Sequence, residues 1–274
     1  PSMPAPPTRF IATSSDKSSF IPQNHSVMHH YNLGFISDED IYQHVKATVE
    51  RYRRSIDLKD FNKNVIDPIK LTFDAKIYHK SFREIIESEC IRQIDKSNNN
   101  HIGYFHQHLF KYAGHDWQVP EAGFDVINEQ RHIYVEMKNK HNTMNAASSQ
   151  RTYLKMQSKL LEDDKAQCLL VEVLAKTSQD TIWKISIDGK KYEHKCIRRV
   201  SIDRFYEIVF GDPLGFFKLC QALPQILDDI LTEEPGIGLR NSVYSELDNI
   251  SPDLFKSLYL QAFSSYEGFD TFRS

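Results

Sequence analysis

Gly123-Phe124-Asp125-Val126-Ile127-Asn128-Glu129-Gln130-Arg131-His132-Ile133-Tyr134-Val135-Glu136-Met137-Lys138 is the stretch on which the reading of this 274-residue chain turns. It reads as two strands joined by a polar turn. Side chains alternate along a strand, so Ile133, Val135 and Met137 fall on one face while Tyr134, Glu136 and Lys138 share the other. A loop over residues 129–132 sets Asn128 opposite Ile133, and counting back along both strands sets Asp125 opposite Glu136. Two carboxylates on one face repel, and keeping both ionised calls for a cation between them. Mg²⁺ is the natural occupant, a hard ion that takes carboxylate, carbonyl and water oxygens, with the carbonyl of Met137 as a third protein ligand. Lys138 then places an ammonium beside that ion. There it orients or helps deprotonate an attacking water while the ion stabilises charge building on a phosphate.

Outward from this hairpin the pattern is β-rich. Gly123 to Asn128, Ile133 to Lys138, Cys168 to Leu174 and Ile182 to Ile187 read as strands, with a helix from about Ala147 to Leu161 between the second and third. The expected fold class is α/β, a mixed central sheet flanked by helices, with a C-terminal helical region. Upstream, the capping-box pattern Ser37-Asp38-Glu39-Asp40 opens a helix carrying Ile41, Val45, Val49, Tyr52 and Ile56 on one face. A second box, Ser81 to Glu84, opens a helix to about Ile94, and a third helix is expected over Asn98 to Tyr112, ending at Gly114. From Ile202 the apolar spacing is helical again, interrupted by Pro224 and by Pro235-Gly236. Residues 1–36, rich in Pro, Ser and Asn, are expected to form a surface arm. The whole is read as one domain: arm 1–36, helical segment 37–115, α/β core 116–200 and C-terminal helical region 201–274. No internal repeat is visible.

A hydrophobic fraction of 40% suits a globular core, and the net charge of −3 neither favours nor excludes a nucleic-acid partner, since phosphate affinity follows where Lys and Arg stand. No apolar run is long enough to span a membrane and the N-terminus lacks a secretory pattern, so a cytoplasmic location is expected. Pro1 and Ser2 ahead of Met3 read as a remnant preceding the natural start. Cys90, Cys168, Cys196 and Cys220 have no CxxC spacing, and three of them lie in apolar surroundings typical of reduced core thiols. No Gly-x-Ser-x-Gly appears.

The acid-x-Lys triplet alone is weak. Asp57-Leu-Lys, Asp74-Ala-Lys, Asp163-Asp-Lys, Asp188-Gly-Lys and Glu193-His-Lys also occur, but on helical or turn-like sequence or without a partner Asp on a matched strand. From pattern alone, a solvated amphipathic hairpin with an incidental acid–Lys pair is as good a reading as a metal centre.

Phe124-Asp125, ten intervening residues, then Glu136-Met137-Lys138, set after helices and before a further helix, resembles the PD-(D/E)XK nuclease superfamily. More narrowly, Trp117-Gln-Val-Pro, Gly-Phe-Asp-Val-Ile-Asn and the run Ile-Tyr-Val-Glu-Met-Lys-Asn-Lys-His-Asn-Thr-Met-Asn ending at Asn145 look like type II restriction endonucleases that cut GGNCC or GGWCC sites. The likeness covers roughly residues 117–157, and the flanking helices match in outline. It implies a restriction-endonuclease-like core and Mg²⁺-dependent hydrolysis of double-stranded DNA by a homodimer on a short palindrome. Asp125 and Glu136 would be metal ligands and Lys138 the catalytic lysine. Phe124 stands where the superfamily name has Pro, which bears on how the strand begins rather than on the chemistry. Many members carry an acid on a preceding helix. Glu87 and Glu84 are candidates, ordinary helix-surface charge being the plainer reading of both.

After the second strand come Asn139, Lys140, His141, Asn142 and Asn145, then Ser148, Ser149, Gln150 and Arg151. Such side chains contact base edges and phosphates. Arg151, Lys155 and Lys159 recur every four residues as a basic stripe on one helix face. A plain soluble helix face is the commoner meaning of this pattern, and its place beside the acid pair favours DNA contact instead. His101, His106 and His108 offer no i, i+4 pair for a metal, and His25, His29 and His30 carry no spacing signal. Two rival readings remain: a repair or recombination nuclease of the same superfamily that reads DNA shape, and a non-catalytic DNA-binding module.

Overall fold

The computed structural model describes residues 28–114 and 116–264. Phe10-Ile11, Phe20-Ile21 and His25 of the expected arm lie outside them. Residues 28–36 are described, and they are not a surface arm: Tyr31, Leu33 and Ile36 are buried in the main core. The Tyr31 hydroxyl donates to Asp229 Oδ2 at 2.8 Å and His29 Nε2 lies 3.2 Å from Glu233 Oε1, which fastens this segment to the C-terminal half.

Helix α1 (Asp38–Arg51) begins as expected, with the Ser37 side chain accepting from the Asp40 amide. It stops short of Ile56, which enters strand β1 (Ser55–Ile56). Two helices that the apolar spacing does not announce follow, α2 (Leu58–Lys63) and α3 (Pro68–Ile77), each capped by an aspartate, Asp57 and Asp67. The two helices expected over 81–94 and 98–112 are one continuous helix, α4 (Phe82–Leu109), extended by a 3₁₀ turn at Phe110–Ala113. The polar run Asp95 to His101 suggests a break, but both ends of the helix are pinned by packing. Ile86, Cys90 and Ile94 sit in one apolar cluster and Phe105 and Leu109 in another. Between them, Asn98 Oδ1 accepts from the Arg53 amide at 2.8 Å. Tertiary contacts at both ends outweigh weak local propensity.

The central sheet contains β2 (Val126–Asn128), β3 (Ile133–Lys140), β4 (Gln167–Leu174), β5 (Asp180–Ile182) and β8 (Ile197–Ser201), in the order β2-β3-β4-β8-β5. Its middle pairs, β3/β4 and β4/β8, are parallel and its outer pairs are antiparallel. Helix α5 (Ala146–Glu162) crosses between β3 and β4. The mixed sheet and flanking helices match the expected fold class. The strand expected over Ile182 to Ile187 is divided: Trp183 turns into the core, β5 stays in the main sheet, and β6 (Ile185–Ile187) pairs with β7 (Lys190–Tyr192). That hairpin turns on Asp188 and Gly189, both at positive φ, as a two-residue turn demands.

Each face of the sheet buries its own cluster. Ile133, Val135, Met137, Leu169, Val171 and Val200 face α1, the end of α4, α6 (Ile202–Phe210) and α7 (Gly215–Glu233). Tyr134, Cys168, Leu170 and Ile197 face Tyr153 and Met156 of α5. Pro224 does not interrupt the C-terminal helix as expected. It lies inside α7, where it forgoes the bond to the Cys220 carbonyl, and Leu219, Ile226 and Ile230, all buried, hold the helix through it. A third cluster joins α2, α3 and the first half of α4 to α8 (Val243–Ile250) and α9 (Leu254–Phe263), with β9 (Arg240–Asn241) parallel to β1. Of the four free thiols only Cys90 and Cys168 are buried, and Cys220 is exposed rather than in the core. Among the described residues no helix is long and apolar enough to cross a membrane.

The two-sided burial of the parallel strands makes them the structure's foundation. Leu169→Ala in β4, fully buried, is expected to lower stability by about 2–5 kcal/mol, and Leu161→Ala, 91% exposed, by no more than about 0.5 kcal/mol, both read by urea unfolding.

Candidate active site

The hairpin has the register that its sequence suggests. Asn128 pairs with Ile133, Ile127 with Tyr134 and Val126 with Val135. The loop is closed by the Asn128 side chain, which accepts from the Arg131 amide at 2.9 Å, and by His132 in the left-handed region at φ 55°. Asp125 lies one residue before β2. Its amide donates to the Val135 carbonyl at 2.8 Å, and its Oδ2 accepts from the Met137 amide at 2.7 Å. The carboxylate is thereby tied to the backbone of β3, alongside Glu136 and Lys138. Phe124 packs its ring 5.5 Å from that of Tyr134 and anchors the start of the strand by burial.

Glu136 is 7% exposed. Burial pushes its carboxyl above the usual range, the Asp125 charge adds to that, and Lys155 and Lys138 oppose it. Its bonded partner is Lys155 of α5, whose ammonium donates to Glu136 Oε1 and, at 2.6 Å, to the Gly123 carbonyl. Lys138 is half-buried on the same face and acts on Glu136 through its charge.

The fit of a divalent cation can be judged from this donor set. Among the described residues no three His, Cys, Asp or Glu side chains converge as a metal cluster. Two carboxylates and nearby carbonyls suit a hard ion that completes its shell with water or phosphate oxygens, and a cation, the Lys155 ammonium, already bridges a carboxylate and a carbonyl there. Asp125, Glu136 and the Met137 carbonyl therefore fit Mg²⁺ chemically.

Beyond β3 the chain turns through residues 141–145 into α5. Asn139 is half-buried, and Lys140 and Asn142 are exposed, Asn142 at φ 55°. Asn145 caps α5, its Oδ1 accepting from the Ser148 amide at 2.8 Å. Ser148, Ser149 and Gln150 are half-buried on the first turns and Arg151 is exposed. The basic stripe is partly internal: Lys155 meets Glu136, and Lys159 pairs with Glu162 at 2.8 Å while lying 4.7 Å from the Tyr134 ring. Glu87 pairs with Arg83, and Glu84 closes the cap with Ser81; neither joins the acid pair.

Glu172 is the acid that the sequence reading missed. It pairs with Lys138 across β3/β4 and is 2% exposed. His141 Nδ1 lies 3.0 Å from its Oε2 and Arg199 Nε 2.8 Å from its Oε1. A glutamate inside the apolar run Cys168-Leu-Leu-Val-Glu-Val-Leu was the available signal, because a buried acid needs partners. An apolar cleft of about 500 Å³ between α1, α4 and α7, lined by Val45, Val49, Phe105, Leu223 and Leu227 among others, shares no residue with this site.

Comparison with known proteins adds the lineage. A family model described as Eco47II restriction endonuclease matches residues 33–232. The type II restriction enzyme Sau96I of Staphylococcus aureus is 31% identical over 228 residues, covering 78% of this chain and 87% of that protein. The type II restriction enzyme Eco47II of Escherichia coli is 31% identical over 219 residues, covering 74% of this chain and 90% of that protein. The family match spans both faces of the central sheet and ends within α7, before α8 and α9.

Because the folded pKa of Glu136 is raised, the native state binds the extra proton. Metal-free stability therefore falls as pH rises from the ordinary glutamate value, about 4.3, through the raised one. Glu136→Gln removes that loss. In metal-free buffer the melting temperature of wild type is expected to drop relative to Glu136→Gln across this window, and parallel curves contradict the assignment.

Proposed function

This chain belongs to the Eco47II restriction endonuclease family, and on that premise we propose that it is an Mg²⁺-dependent type II deoxyribonuclease with a PD-(D/E)XK centre. The observation that carries the reading is the convergence of Asp125, Glu136 and Lys138 at one end of a single hairpin. Asp125, Glu136 and the Met137 carbonyl would hold the ion. When bound, Mg²⁺ supplies charge stabilisation for the pentavalent phosphate and lowers the pKa of water. Lys138, as an ammonium, orients the attacking water by its charge, while the water's proton passes to a phosphate oxygen or solvent and the departing ester oxygen takes up a proton from solvent. The water oxygen bonds to phosphorus as one P–O ester bond breaks, leaving phosphate and hydroxyl ends. Apolar burial of Glu136 keeps bulk water from competing for its oxygens.

Asn139, Lys140, Asn142, Asn145, Ser148, Ser149, Gln150, Arg151 and Lys155 form the proposed DNA-facing strip. It runs from the end of β3 over the following loop onto α5, so base contacts and the reacting phosphate are served by contiguous chain. Asn142 and Arg151, both exposed, are its leading base or phosphate contacts. Its substrate is double-stranded DNA with a short palindromic site, GGNCC-like, and the acting form is a homodimer in the cytoplasm, each subunit cutting one half-site.

Digestion of unmethylated DNA tests this. Wild type in Mg²⁺ is expected to yield discrete fragments whose ends share a short palindrome. Lys138→Ala and wild type in EDTA are expected to lose at least about 10²-fold in rate. Intact DNA from folded wild type, or fragments without a common end sequence, contradicts the proposal.

A further inference from the structure

Lys155 holds an unusual position for a residue of a basic helix stripe. Its ammonium is enclosed by three electron-rich surfaces: Glu136 Oε1, the Gly123 carbonyl at 2.6 Å and the Phe124 ring, whose centroid is 4.5 Å away. Its side chain is 37% exposed, against 10% for that of Glu136, so the lysine reaches inward from the surface to a buried acid that does not reach out. The lysine nearest in sequence to Glu136, Lys138, does not make this bond; the cation bonded to Glu136 arrives from another element.

We propose that Lys155 is the resident counter-ion of the metal-free site, bonded to the Glu136 carboxylate and the Gly123 carbonyl, and that it must swing away before a divalent ion binds there. The inference rests on the reading of Asp125 and Glu136 as metal ligands. A hard divalent ion seeks the same carboxylate oxygen, and two cations cannot share it within contact distance. Lys155 thus competes directly with the metal and lowers its apparent affinity. Its absence would leave a buried carboxylate uncompensated beside Asp125, which accounts for the lysine's presence in the metal-free state. Once displaced, the ammonium has a flexible four-carbon stem and returns to the α5 face that carries Arg151 and Lys159, where phosphate oxygens are the acceptors. Phe124 supports the inward position by its π face and does nothing for the outward one.

The probe is Mn²⁺ alone, titrated calorimetrically into the full chain without DNA, so that no turnover enters the readout. Lys155→Met keeps an unbranched side chain of similar length and removes the charge. It is expected to bind Mn²⁺ about tenfold or more tightly than wild type, and to melt lower than wild type when metal-free at neutral pH. Lys159→Met, one turn along the same face, is the control for a general loss of positive charge and is expected to bind as wild type does. Equal affinity of Lys155→Met and wild type, weaker binding by Lys155→Met, or an equal gain in Lys159→Met overturns the counter-ion role while leaving the metal site intact. Absence of Mn²⁺ binding in all three proteins, each shown to be folded by its circular dichroism, overturns both.

Discussion

The site depends on the pairing of β2 with β3. Asn128 faces Ile133, and from that one alignment Asp125 comes to lie beside the 136–138 segment with its carboxylate on the Met137 amide. A slip of one residue would send Glu136 and Lys138 into the cluster that holds Val135 and Met137, and would bring Val135 out to the α5 side. The register is therefore specified by burial on both faces as much as by the loop. β3 is paired along almost its whole length with β4, which is itself covered on both sides, so β3 has little freedom to move.

This rigidity carries an electrostatic load. Glu136 and Glu172 are acids on one face of adjacent strands, each almost fully buried. Each is met by groups reaching in from elsewhere: the Lys155 ammonium for Glu136, and the Arg199 guanidinium with the His141 ring for Glu172. The two arrangements differ in kind. Glu172 is flanked by groups from β8 and from the start of the loop into α5, which ties the end of β3 to the sheet. Glu136 is met by one long, half-exposed lysine, a partner that can leave.

How much of this was legible in the sequence follows from the range of the interactions. Period-two alternation and turn chemistry are local, so the hairpin, the face shared by Glu136 and Lys138, and the α/β class could be read directly. The helix α4 could not be read as one piece, because Asp95 to His101 is polar and the packing that holds it together comes from residues distant in sequence. Short strands such as β8, and the helices α2 and α3, escaped for the same reason. Within the site, Lys155 was visible only as a member of a basic stripe. Nothing in its spacing says that it points at Glu136 rather than at solvent. Glu172 left a trace, a charge in an apolar run, while its partners His141 and Arg199 come together only in three dimensions.

On the proposed reading, Asp125 and Glu136 flank one cation position. Crystals grown without metal and soaked in Mn²⁺ test it through the anomalous difference map. A peak is expected within bonding distance of both carboxylates and of the Met137 carbonyl, with the Lys155 ammonium moved off Glu136. A map with no peak between Asp125 and Glu136, or with Lys155 still bonded to Glu136 while Mn²⁺ occupies another place, would contradict it.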